Sequence, residues 1–266
     1  MSRIEGRFST LREGGEGALI VFVVAGRPGV PASLGLLTAI ADAGADVIEL
    51  GIPFSDPLAD GPVIQAASQR ALEDGVTPSQ VLDMAARFRS ARDVPLVFMT
   101  CYNPIHQFGD EAFAGASAAS GVDGVIVTDL PPEEADRWVA AARANAVDTV
   151  FLLAPTSPVH RVKKVVDLAS GFVYCVSRMG VTGARAELPS DLKDLVGRIR
   201  SQTGKPIAVG FGIARPEHVA KVCMVADGAV VGSAVVSLVE KGQSSAGLLS
   251  QVSGFVSELK AATRKT

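Results

Sequence analysis

The chain has 266 residues, 48% of them hydrophobic and only 5% aromatic, with a formal net charge of −3. That is ample aliphatic core for one domain of the roughly 250 residues an α/β barrel occupies. The charge gives no reason to expect nucleic acid or an anionic membrane as partner, and the longest apolar run, Ala18 to Gly26, is shorter than the roughly 20 residues a bilayer span needs.

The start of the chain is charged and lacks a signal-peptide core. Cys101, Cys175 and Cys223 are far apart, with no C-x-x-C spacing. Reduced thiols and a cytoplasmic location are the expectation.

Taken in order, Ser2 to Glu13 predicts a short N-terminal helix. Ala18 to Ala25 is continuously apolar, the mark of a strand buried on both faces. Pro31 to Ala43 predicts a helix, Ala45 to Leu50 a strand, and Pro62 to Asp74 and Pro78 to Ala91 two helices. Strands then follow at 96–100, 124–128, 149–153, 172–176, 207–209 and 228–231. Helices alternate with them at 109–120, 132–143, 158–169, 190–201 and 216–225, and a short and a long helix close the chain.

Eight β-α units without a linker predict a single-domain (β/α)8 TIM barrel over residues 1–266; a doubly wound open sheet is the runner-up. In a barrel the site lies where strands end and helices begin.

One stretch concentrates chemistry there. Val47 to Leu50 reads as a buried strand ending in a carboxylate, Glu49. Burial raises a carboxylate pKa towards the range of a general acid. The loop that follows is restrained by Pro53 and Pro57, and Glu49, Asp56 and Asp60 put three carboxylates within twelve residues. A lone buried Glu is more often structural; three acids on so restrained a loop point to function.

The late loops are rich in glycine: Gly180 to Gly183, Gly210-Phe211-Gly212 and Gly232-Ser233, the last opening a short extra helix after the eighth strand. Glycines and a helix N-terminus present N–H donors to a phosphate, and in barrels this site forms after strands seven and eight. A phosphorylated small molecule is the expected substrate class. His106, His160 and His218 lack metal-ligand spacing and read as surface residues, so no metal site is expected. Asp129 reads as a functional acid or a helix cap, and Arg178 as a partner of the acidic loop or the phosphate, or as solvated. Phe22, Tyr174 and Phe211 lie at strand ends and form either an aromatic pocket or core.

The run from Ile48 through Glu49-Leu50-Gly51-Ile52-Pro53-Phe54-Ser55-Asp56-Pro57-Leu58-Ala59-Asp60 to Gly61 resembles the signature of the tryptophan synthase alpha chain family. Supporting pieces span nearly the whole chain: Tyr102-Asn103-Pro104, Gly121 to Val127, Asp129 to Glu134, Leu153 to Thr156, Gly180 to Ala184, Val209 to Ile213 and Asp227 to Ser233.

The resemblance implies retro-aldol cleavage of indole-3-glycerol phosphate to indole and glyceraldehyde 3-phosphate. It implies a beta-chain partner in an alpha2-beta2 heterotetramer, with pyridoxal phosphate in that partner and no cofactor in this chain. Glu49 would protonate the indole carbon, and Asp60 would stabilise the ring N–H. Thr182 and Gly183 would lie on a closing loop that orders Asp60, leaving Glu49 dry and Asp60 polar and paired. Gly183, Phe211, Gly212, Gly232 and Ser233 would hold the phosphate, and Phe22, Tyr174 and Phe211 the indole and glycerol parts. The chain departs from the pattern at Arg27, where an acid is usual on a loop near the partner face, at Thr128, and at Cys101, where an aromatic is frequent. An alternative keeps the chemistry without a partner: a free-standing indole-3-glycerol phosphate lyase.

Overall fold

A computed structural model describes residues 1–176, 192–210, 212–242 and 247–265. The strands are β1 (Ala18–Val24), β2 (Val47–Gly51), β3 (Leu96–Thr100), β4 (Gly124–Val127), β5 (Asp148–Val150), β6 (Leu152–Leu153), β7 (Val173–Val176), β8 (Ile207–Gly210) and β9 (Gly228–Val231). The helices are α1 (Arg3–Glu13), α2 (Val30–Asp42), α3 (Pro62–Glu73), α4 (Pro78–Ala91), α5 (Tyr102–Phe108), α6 (Asp110–Ala119), α7 (Asp136–Ala144), α8 (Val159–Leu168), α9 (Leu192–Arg200), α10 (Pro216–Cys223), α11 (Ser233–Gly242) and α12 (Leu248–Ala261).

Every pairing between these strands is parallel. The order is β5-β4-β3-β2-β1-β9-β8-β7-β6. Only Phe151 separates β5 from β6, and the two act as halves of one barrel strand. The first half pairs with β4 and the second with β7, so the sheet closes on itself. The result is the TIM barrel, and the open-sheet alternative falls.

Closure splits the core in two. The barrel interior takes alternate residues: Ile20, Val47, Val97, Ile126, Val150, Phe172, Tyr174, Ala208 and Val230. Helix α1 plugs its lower end with Ile4, Phe8 and Leu11, and the Phe8 and Phe172 rings meet at 5.8 Å. The other strand faces carry Leu19, Val21, Ile48, Leu50, Phe98, Val125 and Val209 into the shell shared with the helices. Both strand faces are therefore buried, which explains the continuous apolar runs.

Beneath the strands, acids tie the barrel shut. Asp46, just before β2, is fully buried and accepts from the Leu19 amide at 2.7 Å. Arg7 at 2.6 Å and Lys260 at 3.0 Å neutralise it. Asp123, before β4, accepts from the Leu96 amide and from Arg89 and Arg3. Asp227, before β9, accepts from the Ile207 amide and pairs with Arg200. In each case one carboxylate satisfies an N–H at the start of a neighbouring strand and a cation together.

Two expectations are corrected here. Helix α5 takes residues the sequence reading left between elements; Pro104 falls in its first turn, where no intrahelical N–H is needed. His218 is not a surface residue: it is 2% exposed, and the Ala214 amide donates to its Nδ1. Arg27, where the chain departs from the family pattern, is 5% exposed, and its guanidinium is turned inward onto Glu240 and Asp74, both at 2.8 Å.

Candidate active site

The C-terminal ends of the strands surround a cleft of ≈ 540 Å³, counting its open mouth. Glu49, Asp60, Phe22, Tyr174, Gly212, Gly232 and Ser233 all line it. Six strands and loops distant in sequence thus deliver their expected residues to one place. Thr182, Gly183, Phe211, Gly180 and Arg178 lie outside the described residues.

Glu49 stands in the middle of β2 rather than at its end, and period-2 alternation turns it inward with Val47. It is 1% exposed, and its Oε2 has no hydrogen-bond partner among the described residues. Burial, and then the charge of Asp60, push its pKa up to about 8. Glu49 therefore keeps its proton at neutral pH.

Asp60 precedes α3, whose first residue is Pro62. The loop is braced locally: the Asp60 amide donates to Pro57 O at 3.0 Å, and Gln65 Nε2 donates to Asp60 O at 2.8 Å. The loop at Thr182 and Gly183 that is expected to order its carboxyl lies outside the described residues. Asp60 is 7% exposed, Oδ1 has no hydrogen-bond partner among the described residues, and burial pushes its pKa up to about 7. Apolar Phe22, Ile64 and Met99 share the cleft with it, which explains the shift.

The aromatic residues line two sides, Phe22 beside Glu49 in the β1–β2 register and Tyr174 on β7. Phe22 and Tyr174 are buried and belong to cleft and core at once. Tyr174 needs Gly210 across the β7–β8 pair, because a Cβ at 210 would run into its hydroxyl. Gly212 has φ +83°, a conformation other residues adopt at a cost. Gly232 comes just before α11, and Ser233 is its first residue, so free N–H groups and the positive end of the helix dipole open on the cleft.

The sequence reading missed several walls: Met99, Ile126, Thr128, Leu152, Ile213 and Val230. Inward alternation was the available signal, and continuous apolar runs conceal it. Asp129 resolves as a cap, though of α5: its Oδ1 accepts from the Tyr102 amide at 2.7 Å. Cys101, Cys175 and Cys223 are free, buried thiols, pushed up by burial to about 11, 12 and 11. Among the described residues there is no cluster of three metal-ligating side chains, and no helix is long and apolar enough to cross a membrane.

Known proteins share both sequence and fold. A family profile described as tryptophan synthase alpha chain matches residues 8–264. The chain is 48% identical to the tryptophan synthase alpha chain of Geobacter sulfurreducens, over 98% of this chain and 99% of that one. It is 45% identical to that of Solibacter usitatus, over 98% and 97%. Among solved structures it is similar to tryptophan synthase of Mycobacterium tuberculosis, with a TM-score of 0.92 and 38% identity over 100% of this chain and 99% of that chain. It is equally similar in fold to tryptophan synthase subunit alpha of Legionella pneumophila, with a TM-score of 0.92 and 35% identity over 99% and 98%. A profile spanning nearly the whole chain, relatives near half identity and barrels of the same shape agree: the chain belongs to the tryptophan synthase alpha chain family.

Proposed function

We propose that this chain cleaves indole-3-glycerol phosphate to indole and glyceraldehyde 3-phosphate, a carbon–carbon lyase reaction. One observation carries the reading: two buried carboxyls, raised to about 8 and about 7, share a cleft with an aromatic wall and a helix N-terminus.

The steps follow from charge. Protonated Glu49 donates to the ring carbon that bears the glycerol chain, and positive charge develops on the ring nitrogen. Ionised Asp60 stabilises that charge through the ring N–H. Glu49, now a carboxylate, takes the proton of the adjacent hydroxyl. The carbonyl forms, the carbon–carbon bond breaks, and its electron pair returns to the ring as indole. Each positioned acid or base is typically worth about 10² to 10⁴ in rate. Phe22 and Tyr174 enclose the ring, and Gly212, Gly232 and Ser233 hold the phosphate at the start of α11. Thr182, Gly183 and Phe211 complete the site as the family resemblance implies. No step draws on a metal or organic cofactor in this chain.

Family membership implies a beta-chain partner, which uses pyridoxal phosphate to join indole to serine. We place the chain in an alpha2-beta2 heterotetramer in the cytoplasm, as one domain over residues 1–266. Exposed Leu58, 83% accessible on the acidic loop, fits a surface that a partner covers. The relatives are named as alpha chains, which favours this reading over a free-standing lyase.

The test is indole release from indole-3-glycerol phosphate by the purified chain, alone and with a beta chain added. Slow release that rises strongly with the partner is expected. No release in either condition refutes the substrate, and fast release indifferent to the partner refutes the complex.

A further inference from the structure

Asp60 also faces a second, smaller cavity behind the cleft. Asp60, Ser68 of α3, Thr100, Cys101 and Thr128 are the polar residues that line it. The space open to the centre of a water molecule is ≈ 20 Å³. A buried water needs roughly 10–15 Å³ of such space and two to four polar partners.

Two of the lining groups lack a partner. Asp60 Oδ1 and Thr100 Oγ1 are both buried without a hydrogen bond among the described residues. Thr100 is the last residue of β3; Val97 belongs to the barrel interior and Phe98 to the outer shell, so alternation puts the Thr100 side chain on the side of α3. Thr128 Oγ1 is the third group. Its contacts to Thr100 O at 3.4 Å and Cys101 Sγ at 3.6 Å are long, so it has capacity to spare.

We propose that this cavity is a binding site for one ordered water, which accepts from the Thr100 hydroxyl and donates to Asp60 Oδ1, and that Thr100 is a positioning residue for Asp60. The proposal rests on the reading of Asp60 as the ionised partner of the ring N–H. An unpaired buried acceptor is costly, and a donor aimed at it favours the charged form. The titratable groups around Asp60 are Glu49 on β2, Cys101 after β3 and Tyr174 on β7, with Asp129 after β4 near Cys101. Among the described residues none is a cation, so hydrogen-bond donors are left to favour the charge there.

The experiment joins a high-resolution crystal structure of the wild-type protein to pH profiles of kcat/KM for indole release. The profiles compare wild type, Thr100→Val and Thr100→Ser in the presence of the beta chain. A water between Thr100 and Asp60 is expected. Activity rises with pH as Asp60 ionises. Loss of the hydroxyl in Thr100→Val moves that limb to higher pH by about one unit, while Thr100→Ser keeps the wild-type position. An empty cavity, an unmoved limb in Thr100→Val, or equal shifts in both variants overturns the proposal. Asp60→Asn separates the two readings: if it abolishes turnover while Thr100→Val shifts nothing, Asp60 stands and the water site falls. Near-normal turnover in Asp60→Asn removes the reading of Asp60 itself.

Discussion

Asp46 and Glu49 lie three residues apart, and both are buried. Asp46, below β2, is met by Arg7, Lys260 and the Leu19 amide. Among the described residues Glu49, inside β2, meets no cation, and one of its oxygens has no hydrogen-bond partner. The same contrast runs round the barrel: Asp123 and Asp227 are paired at the bottom, while Asp60 has an orphaned oxygen at the top. A buried carboxylate that is paired holds strands together; one without a partner has its pKa raised towards the range of acid–base work. The barrel thus places its structural acids at one end and its proposed working acids at the other, as its strand direction requires.

The contrast can be broken by substitution. The largest effect is on turnover: Glu49→Gln is expected to lower kcat for indole release by about 10² to 10⁴, while circular dichroism shows a folded chain. Near-normal turnover would remove Glu49 as the acid. At the other end, Asp46→Ala leaves the Leu19 amide unsatisfied and Lys260 without its buried partner. It is expected to cost about 3–5 kcal/mol in denaturant unfolding; a loss below about 1 kcal/mol, the usual worth of an exposed pair, would make the bottom acids ornamental.

A smaller effect is expected at the phosphate loop. Gly212→Val forces a β-branched residue to φ +83° beside the cleft. Glycerol phosphate should then bind about tenfold more weakly, a change of about 1.4 kcal/mol, as calorimetry would show. Unchanged affinity places the phosphate elsewhere.

A last effect is on the pH dependence of stability, and its sign is the sharpest part of the contrast. Glu49 has a folded pKa of about 8 against an ordinary 4.5. Between these values the unfolded chain ionises and the folded one does not, so this group lowers stability as pH rises. Glu49→Gln removes that slope. Its stability relative to wild type should therefore climb from pH 5 to pH 8 in urea titrations; a flat difference would mean that Glu49 is not held protonated.

Much of this was legible in the sequence, for a physical reason. Strands buried on both faces announce themselves as runs such as Ala18 to Val24, and Glu49 is conspicuous because hydrocarbon surrounds it in sequence as in space. Pairings across long separations were not legible. Arg27 finds Glu240, 213 positions away, and a loop charge becomes an internal clamp. His218 is buried although it reads as a surface residue. Local pattern tells which residues must be buried; it does not tell which partners will meet them there.

The most direct test of the two-ended account is the titration of Glu49 in the folded protein, followed by carbon-13 resonance of its carboxyl and assigned with Glu49→Gln. A midpoint near 8 is expected. A midpoint near the ordinary 4.5 would mean that Glu49 is paired or solvated like any other acid, and the distinction between the two ends of the barrel would be lost.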